Sequence, residues 1–469
     1  MTTQLAAQAI PGIQEPPLVG IMHAFQSDPL GVLTRLAREC GDLGRFHYGP
    51  FLVYFCNAPE LAHSVLVEHA DAFDKGFAFH NALRPMIGNG LVNSEGMFWR
   101  RQRKLMAPPF QPRHIAGYAA TMASYADEAQ QGWADGATID LAHEITGLTM
   151  RIVGKVLFDS EVFGEADTLG AAITIGVERV AYAAMHFFPI PLSWPTSRNH
   201  RTRRALALIQ QRVQAMIDER RASPVERDDF LSILLRAQAD DGTRMSDAQL
   251  RDEAVTLFLA GHETTANALS WCFYLLASHP EIYARVQAEV DGVLGGRLPA
   301  YADLARLPYT LQVLKETIRL YPPAWIINRV ALHAVEVAGI SLRKKDVVTI
   351  PIYTLHRRAA VFPDPERFDP ERFTPENEKR LPRHAYMPFG AGPRICIGNH
   401  FALMEAHLVL ATLAQRVTFR LVPGQQIVPE ALITIRQQPG CRVVVARRPP
   451  AAPGGTLDRS GPGTLPPTF

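Results

Sequence analysis

The ten residues Phe389-Gly-Ala-Gly-Pro-Arg-Ile-Cys-Ile-Gly398 place one cysteine among three glycines and an arginine. Gly390, Gly392 and Gly398 let the backbone come close to something flat and bulky, because no Cβ stands in the way. Cys396 comes just before a helical pattern, Asn399 to His407. The dipole and free N–H groups of a helix start favour the thiolate, the form of sulfur that reacts and binds metals. Arg394 adds a cation that could engage an anionic cofactor group. A second polar cluster, Ala260-Gly-His-Glu-Thr-Thr265, interrupts the most apolar tract of the chain. Polar groups inside a buried helix have to be compensated or used. The plain alternative is that Gly261 allows close helix packing and the threonines bond their own backbone. Glu316 and Arg319, in Lys315-Glu-Thr-Ile-Arg319, lie three apart on one helix face, where opposite charges meet. Taken alone, such a pair is ordinarily solvated.

The other four cysteines, Cys40, Cys56, Cys272 and Cys441, are widely spaced and form no CxxC, so neither a disulfide framework nor a zinc finger is indicated. The 469 residues are 47% hydrophobic, 20% charged and 9% aromatic, which excludes a disordered chain, a collagen and a coiled-coil rod. Forty-eight basic against forty-six acidic side chains leave +2, too little for a protein that binds nucleic acid globally. Met1 to Gln14 has no basic residue and no long apolar stretch, unlike an export signal, so a cytoplasmic location is expected. The apolar tract Ala254 to Ala277 carries His262 and Glu263 at its middle, where a charge is costly in a bilayer. It reads as a buried core helix, and no membrane anchor is expected.

That helix is the clearest positioning element. It starts at Ser246-Asp-Ala-Gln249, a capping-box pattern, and runs to Ser278, before His279-Pro280. About 33 residues at ~1.5 Å each make a rod of roughly 50 Å, enough to cross a domain. Apolar residues at three- and four-residue spacing also predict helices over Ala205 to Ile217, Glu281 to Leu294 and Phe401 to Val417. Gly49-Pro50 between two apolar runs predicts a β-hairpin, and Val335 to Ile352 is a second strand-rich zone with turns at Ala338-Gly339 and Lys345-Asp346. The class is mainly α with small peripheral β-sheets (α+β). Without repeats or a linker-like break, a single domain over 1–446 is expected, opening with an extended segment 1–19. A Pro- and Gly-rich disordered tail over 447–469 follows.

The Cys396 string resembles the haem-binding loop of the cytochrome P450 family, whose iron is held by one cysteine thiolate. Lys315-Glu-Thr-Ile-Arg319 resembles the family's ExxR motif, and Ala260-Gly-His-Glu-Thr264 its oxygen-activation segment. Trp99-Arg-Arg-Gln-Arg103 resembles the family's WxxxR helix. The resemblance spans roughly Gly20 to Ala446 and implies the cytochrome P450 fold, with the long helix over a haem b and the cysteine loop beneath it. It implies Cys396 as the axial metal ligand and Phe389, Gly390 and Ala260 as further haem contacts. Trp99, Arg103, Arg329 and Arg394 are the candidates for the two propionates. Glu316 and Arg319 would pair with a downstream arginine, Arg372 in Pro370-Glu-Arg-Phe373, although Pro365-Glu-Arg-Phe368 repeats the string. Thr264 and Glu263 match the family's alcohol and acid, implied as the catalytic pair. Breaking an O–O bond takes two protons, so a hydroxyl near the oxygen and an acid linked to solvent are the parts needed.

The resemblance further implies a substrate pocket lined by Phe77, Phe79, Leu259, Ala260, Trp325 and Ile326, with a mobile lid over Phe187 to Trp194. The implied activity is monooxygenation with O2 of a hydrophobic small molecule such as a terpenoid, steroid, fatty acid or polyketide. Electrons are expected from a ferredoxin and its reductase, steered by Arg100, Arg101, Arg103 and Lys104. A monomer is expected. The competing readings are a peroxygenase or a bond-forming oxidase on the same fold, and a haem sensor without turnover. A sensor would have no use for the Glu263–Thr264 pair.

Overall fold

The Ser246 side chain caps a 32-residue helix, Asp247–Ser278, by accepting from the Gln249 amide at 3.3 Å. The Ser246 amide makes no return bond to the Gln249 side chain, so only one half of the expected capping box forms. In the computed structural model this central helix packs against the helices Leu141–Phe158, Ser197–Ala222, Pro308–Leu320 and Asn399–Arg416. At its middle Leu257, Phe258, Leu259 and His262 are buried, whereas Ala260, Gly261, Glu263 and Thr264 keep accessible surface. The structure describes residues 10–14, 20–159, 166–186, 189–225, 227, 229–239 and 242–449. The rest of the expected 1–19 segment and of the 447–469 tail lies outside the described residues, as do Phe187 and Phe188 of the expected lid. Among the described residues no helix is long and apolar enough to cross a membrane.

The helices expected around Ala205, Glu281 and Phe401 form as Ser197–Ala222, Pro280–Leu294 and Asn399–Arg416. The predicted hairpin forms between Leu43–Tyr48 and Phe51–Cys56, in register from Leu43 opposite Cys56 to Tyr48 opposite Phe51. It is the edge of a five-stranded sheet that continues through Val347–Ile350 and Ile327–Ala331 to Phe73–Asp74. That sheet positions Lys75 and Arg329, which follow and belong to its last two strands. Ala338-Gly339 makes the expected two-residue turn, both residues having positive φ, between Val335–Val337 and Ile340–Leu342. The result is the mainly helical α+β architecture expected.

The fold passes the expected boundary at 446. The strand Arg442–Arg447 pairs Arg447 with Val417, and the Arg447 guanidinium bonds the carbonyls of Gln130 and Trp133. Arg448 then pairs with Asp291 at 2.6 Å. The Pro- and Gly-rich composition that follows placed these two arginines with the tail in the sequence; their partners on distant helices bring them into the fold.

Candidate active site

The Cys396 loop is shaped by its glycines. Gly390 and Gly392 have φ of 75° and 70°, and a Cβ on Gly392 would stand 1.9 Å from the Leu66 carbonyl oxygen. Only glycine allows that approach. The Cys396 amide closes the loop on the Phe389 carbonyl at 2.9 Å, and the helix begins three residues later at Asn399. Cys396 opens onto a cavity of about 540 Å3. Enclosure by protein pushes its thiol above the usual range, against the opposing pull of the Gly398 N–H and the Arg103 guanidinium. The expected tilt toward thiolate is thus present but outweighed by burial. Coordination to a cation is what deprotonates such a thiol outright.

The central helix contributes the stripe Leu257, Ala260, Gly261, Thr264 and Ala268 to the same cavity. Thr264 Oγ1 donates to the Ala260 carbonyl at 2.8 Å, and Thr265 Oγ1 to that of Gly261 at 3.1 Å. A Cβ on Gly261 would meet Val153 of Leu141–Phe158 at 3.3 Å, so this glycine also serves close helix packing. The packing reading and the chemical reading of the segment therefore hold together. His262 points the other way, its Nδ1 2.7 Å from the Phe258 carbonyl, and burial lowers it to about 4, leaving it neutral. Glu263 does not line the cavity. It turns to the hairpin Val428–Ala431/Ile435–Gln438, where its Oε1 accepts from Thr434 Oγ1 at 2.6 Å. Burial holds its carboxyl above the usual range, while Thr434 and Arg436 pull it down.

A cationic cluster lies in the cavity wall. The Arg394 guanidinium stacks 3.8 Å above the Trp99 ring, donates to the Ser94 carbonyl at 2.9 Å and pairs with Glu95. Burial lowers Arg394 and Arg329 to about 10 each, with Asp74 opposing. Lys75, which nothing in the sequence marks, stands with them. Burial and the two arginines hold its ammonium well below the usual range, and its Nζ donates to the Val92 carbonyl. Arg103 is placed differently, donating to the Ile395 carbonyl at 2.6 Å beside Cys396. Phe389 and Gly390 complete the wall on the loop side. Among the described residues no three His, Cys, Asp or Glu side chains gather as a protein cage for a metal. A metal bound by Cys396 alone must bring its other ligands with it. A flat, dianionic macrocycle fits this donor set, with one thiol, a glycine-cleared loop and a desolvated cationic cluster.

Of the six expected pocket residues, Phe79, Ala260, Trp325 and Ile326 line the cavity. Phe77 does not: it begins the helix Phe77–Ile87 and is 81% exposed. Leu259 does not either, because one residue along a helix turns about 100° and carries it from the Ala260 stripe into the core. Leu432 and Ile433 at the hairpin tip, and Val180 and Ala181 of the helix Ala166–Met185, line the cavity without having been expected.

Glu316 and Arg319 are fully buried and joined twice, Nε to Oε2 at 2.6 Å and Nη2 to Oε1 at 2.8 Å. Arg319 also donates to the His356 carbonyl at 3.0 Å, and the Asp369 amide to Glu316 at 2.9 Å. Arg372 Nε stands 3.4 Å from Glu316, whereas Arg367 offers Arg319 only its carbonyl. The geometry thus separates the two Pro-Glu-Arg-Phe repeats. The pair fixes the segment leading to the cysteine loop, since His356 Nε2 accepts from the Met387 amide at 3.0 Å.

The cytochrome P450 family profile matches residues 10–440. The chain is 39% identical to a cyclooctatin synthase of Streptomyces melanosporofaciens over 426 residues, covering 90% of this chain and 92% of that one. It is 38% identical to a cyclooctat-9-en-7-ol 5-monooxygenase of the same organism, covering 87% of this chain and 89% of that one. A pentalenene oxygenase of Streptomyces avermitilis is 35% identical, covering 92% and 96%.

Proposed function

The chain belongs to the cytochrome P450 family and is a monooxygenase, and we propose that it oxygenates a polycyclic terpenoid using electrons from a ferredoxin and its reductase. The lining of the cavity carries the substrate reading. No carboxylate lines it among the described residues, and Leu83, Val180, Ala181, Trp325, Ile326 and Ile433 make apolar walls. Its cations belong to the Lys75–Arg329–Arg394 cluster and to Arg103, so none is left to receive an acidic substrate once an anionic cofactor is held. Pentalenene and cyclooctat-9-en-7-ol, which two relatives carry in their names, have this apolar, compact character.

Cys396 would hold the haem iron, and Trp99, Lys75, Arg329 and Arg394 its propionates. When bound, the haem supplies reductive O2 activation at an iron whose thiolate favours O–O cleavage. The protein's part is orientation, dryness and protons. Thr264 gives its hydroxyl hydrogen to Ala260, so its oxygen keeps lone pairs to accept a hydrogen bond from the cavity. Glu263, the next residue, carries a proton at higher pH than an exposed glutamate, because burial disfavours its charged form. Apolar walls keep bulk water from the reacting centre.

Titrating the ferric holoenzyme with pentalenene, cyclooctat-9-en-7-ol, a fatty acid and a macrolide tests the substrate class. The Soret band should move toward high spin with the terpenoids. A shift with the fatty acid or the macrolide and none with either terpenoid contradicts the proposal.

The ferredoxin reading rests on the helix Gly96–Met106, which reaches the cysteine loop through Arg103 and turns Arg100 and Lys104 outward. Arg101 bonds Thr243 and Arg103 the Ile395 carbonyl, and both are half-buried, so Arg100 and Lys104 are the two exposed members of the expected four. Arg100→Glu with Lys104→Glu should lower ferredoxin-driven turnover about tenfold at low salt and less at high salt, since screening weakens steering. Turnover driven by hydrogen peroxide should keep its rate. Equal loss by both routes contradicts the docking role.

A further inference from the structure

The Glu263 carboxyl is met by the hydroxyl of Thr434 and makes no ion pair among the described residues. Asn267 Nδ2 donates to Thr434 Oγ1 at 3.0 Å, which commits the threonine's own hydrogen to Glu263 Oε1 at 2.6 Å. The chain of donors thus runs Asn267 to Thr434 to Glu263, fixing one carboxyl oxygen and leaving Oε2 to take up and release a proton. The cation nearby, Arg436, is occupied with Glu430 at 2.5 Å on the facing strand of the hairpin. A direct Arg436–Glu263 pair would lock the acid as carboxylate; a hydroxyl leaves it able to exchange. On the central helix the neighbouring His262 is neutral and faces away.

Thr434 is also tied to the cavity. It ends a tight turn, Leu432-Ile433-Thr434, in which the Leu432 amide bonds the Thr434 carbonyl at 3.1 Å. Leu432 and Ile433 line the cavity. The hairpin is pinned at its tip by Trp325 Nε1 to the Leu432 carbonyl at 3.1 Å and toward its base by Gln437 Nε2 to the Ser270 carbonyl at 3.1 Å.

We infer that Thr434 is the positioning residue for Glu263: its hydroxyl sets the orientation and proton affinity of the acid that serves Thr264. The inference rests on the monooxygenase reading for its kinetic consequence, but the contact can be measured without turnover. Thr434→Val keeps the shape and removes the donor; Thr434→Ser keeps the donor. In ferric holoenzyme, the infrared C=O band of Glu263, assigned by its absence in Glu263→Gln, is followed against pH. Losing a hydrogen bond to the charged form disfavours the carboxylate. The midpoint should therefore rise by about one pH unit in the valine variant and stay near wild type in the serine variant.

With pentalenene as probe and a plant-type ferredoxin and reductase, the valine variant should make about tenfold less product per reductant consumed, the remainder appearing as hydrogen peroxide. Serine should restore coupling. An unchanged midpoint and unchanged peroxide share in Thr434→Val overturn the inference. A shifted midpoint with no product in any variant, wild type included, upholds the contact and overturns the proposed terpenoid substrate with ferredoxin as donor.

Discussion

Thr264→Ala should consume reductant at close to the wild-type rate while product falls about 100-fold, the missing equivalents leaving as hydrogen peroxide. Thr264 is singled out by placement among three threonines of the central helix that reach the cavity. Thr256 bonds the Asp252 carbonyl at 2.7 Å, and Thr265 is buried on the side of Gly261. Thr264 is the most open of the three and adjoins Glu263. Removing its hydroxyl takes away the group that holds a proton donor beside the reacting oxygen. Reduction and oxygen uptake continue because neither the thiol nor the cationic cluster is touched. The substitution should fold normally, since Thr264 bonds only its own helix and alanine is the better helix former. Stopped-flow reductant consumption with a peroxide assay reads the ratio. Coupling equal to wild type would remove Thr264 from the relay.

The cysteine loop was legible because its chemistry is contiguous. Three glycines and one cysteine within ten residues constrain one another, and the structure uses Gly392 where Leu66 leaves no room for a Cβ. Glu316 and Arg319 were legible for the same local reason, one turn of helix apart. Arg372 was not separable from Arg367, because the tetrapeptide occurs twice and only the fold brings one copy to Glu316. Phe77 and Leu259 show the limit for apolar residues. Residue type says that a side chain avoids water, whereas helix phase and helix ends decide whether it faces core, cavity or solvent. Glu263 was found as an acid, but its partner lies 171 residues away on a hairpin. Lys75 reaches the cavity only because Phe73–Asp74 pairs with Ile327–Ala331. Contacts of such span leave no periodic trace in the chain.

Cys396 is the residue on which the chemistry of the cavity turns. Among the five cysteines Cys56, Cys272 and Cys441 are buried, and burial pushes each thiol to about 12, which makes them inert at neutral pH. Cys396 alone opens onto the cavity shared with Thr264 and the cationic cluster. Cys396→His should abolish oxygenation while leaving a pocket that still takes up haem, because Trp99, Lys75, Arg329 and Arg394 remain. A neutral imidazole cannot supply the electron density of a thiolate. The most direct measurement is the carbon monoxide difference spectrum of the dithionite-reduced wild type beside that of Cys396→His. The wild type should show the long-wavelength thiolate band and the histidine variant only the short-wavelength band of a nitrogen ligand. A short-wavelength band in the wild type, or a long-wavelength band that survives in Cys396→His, would contradict thiolate ligation by Cys396.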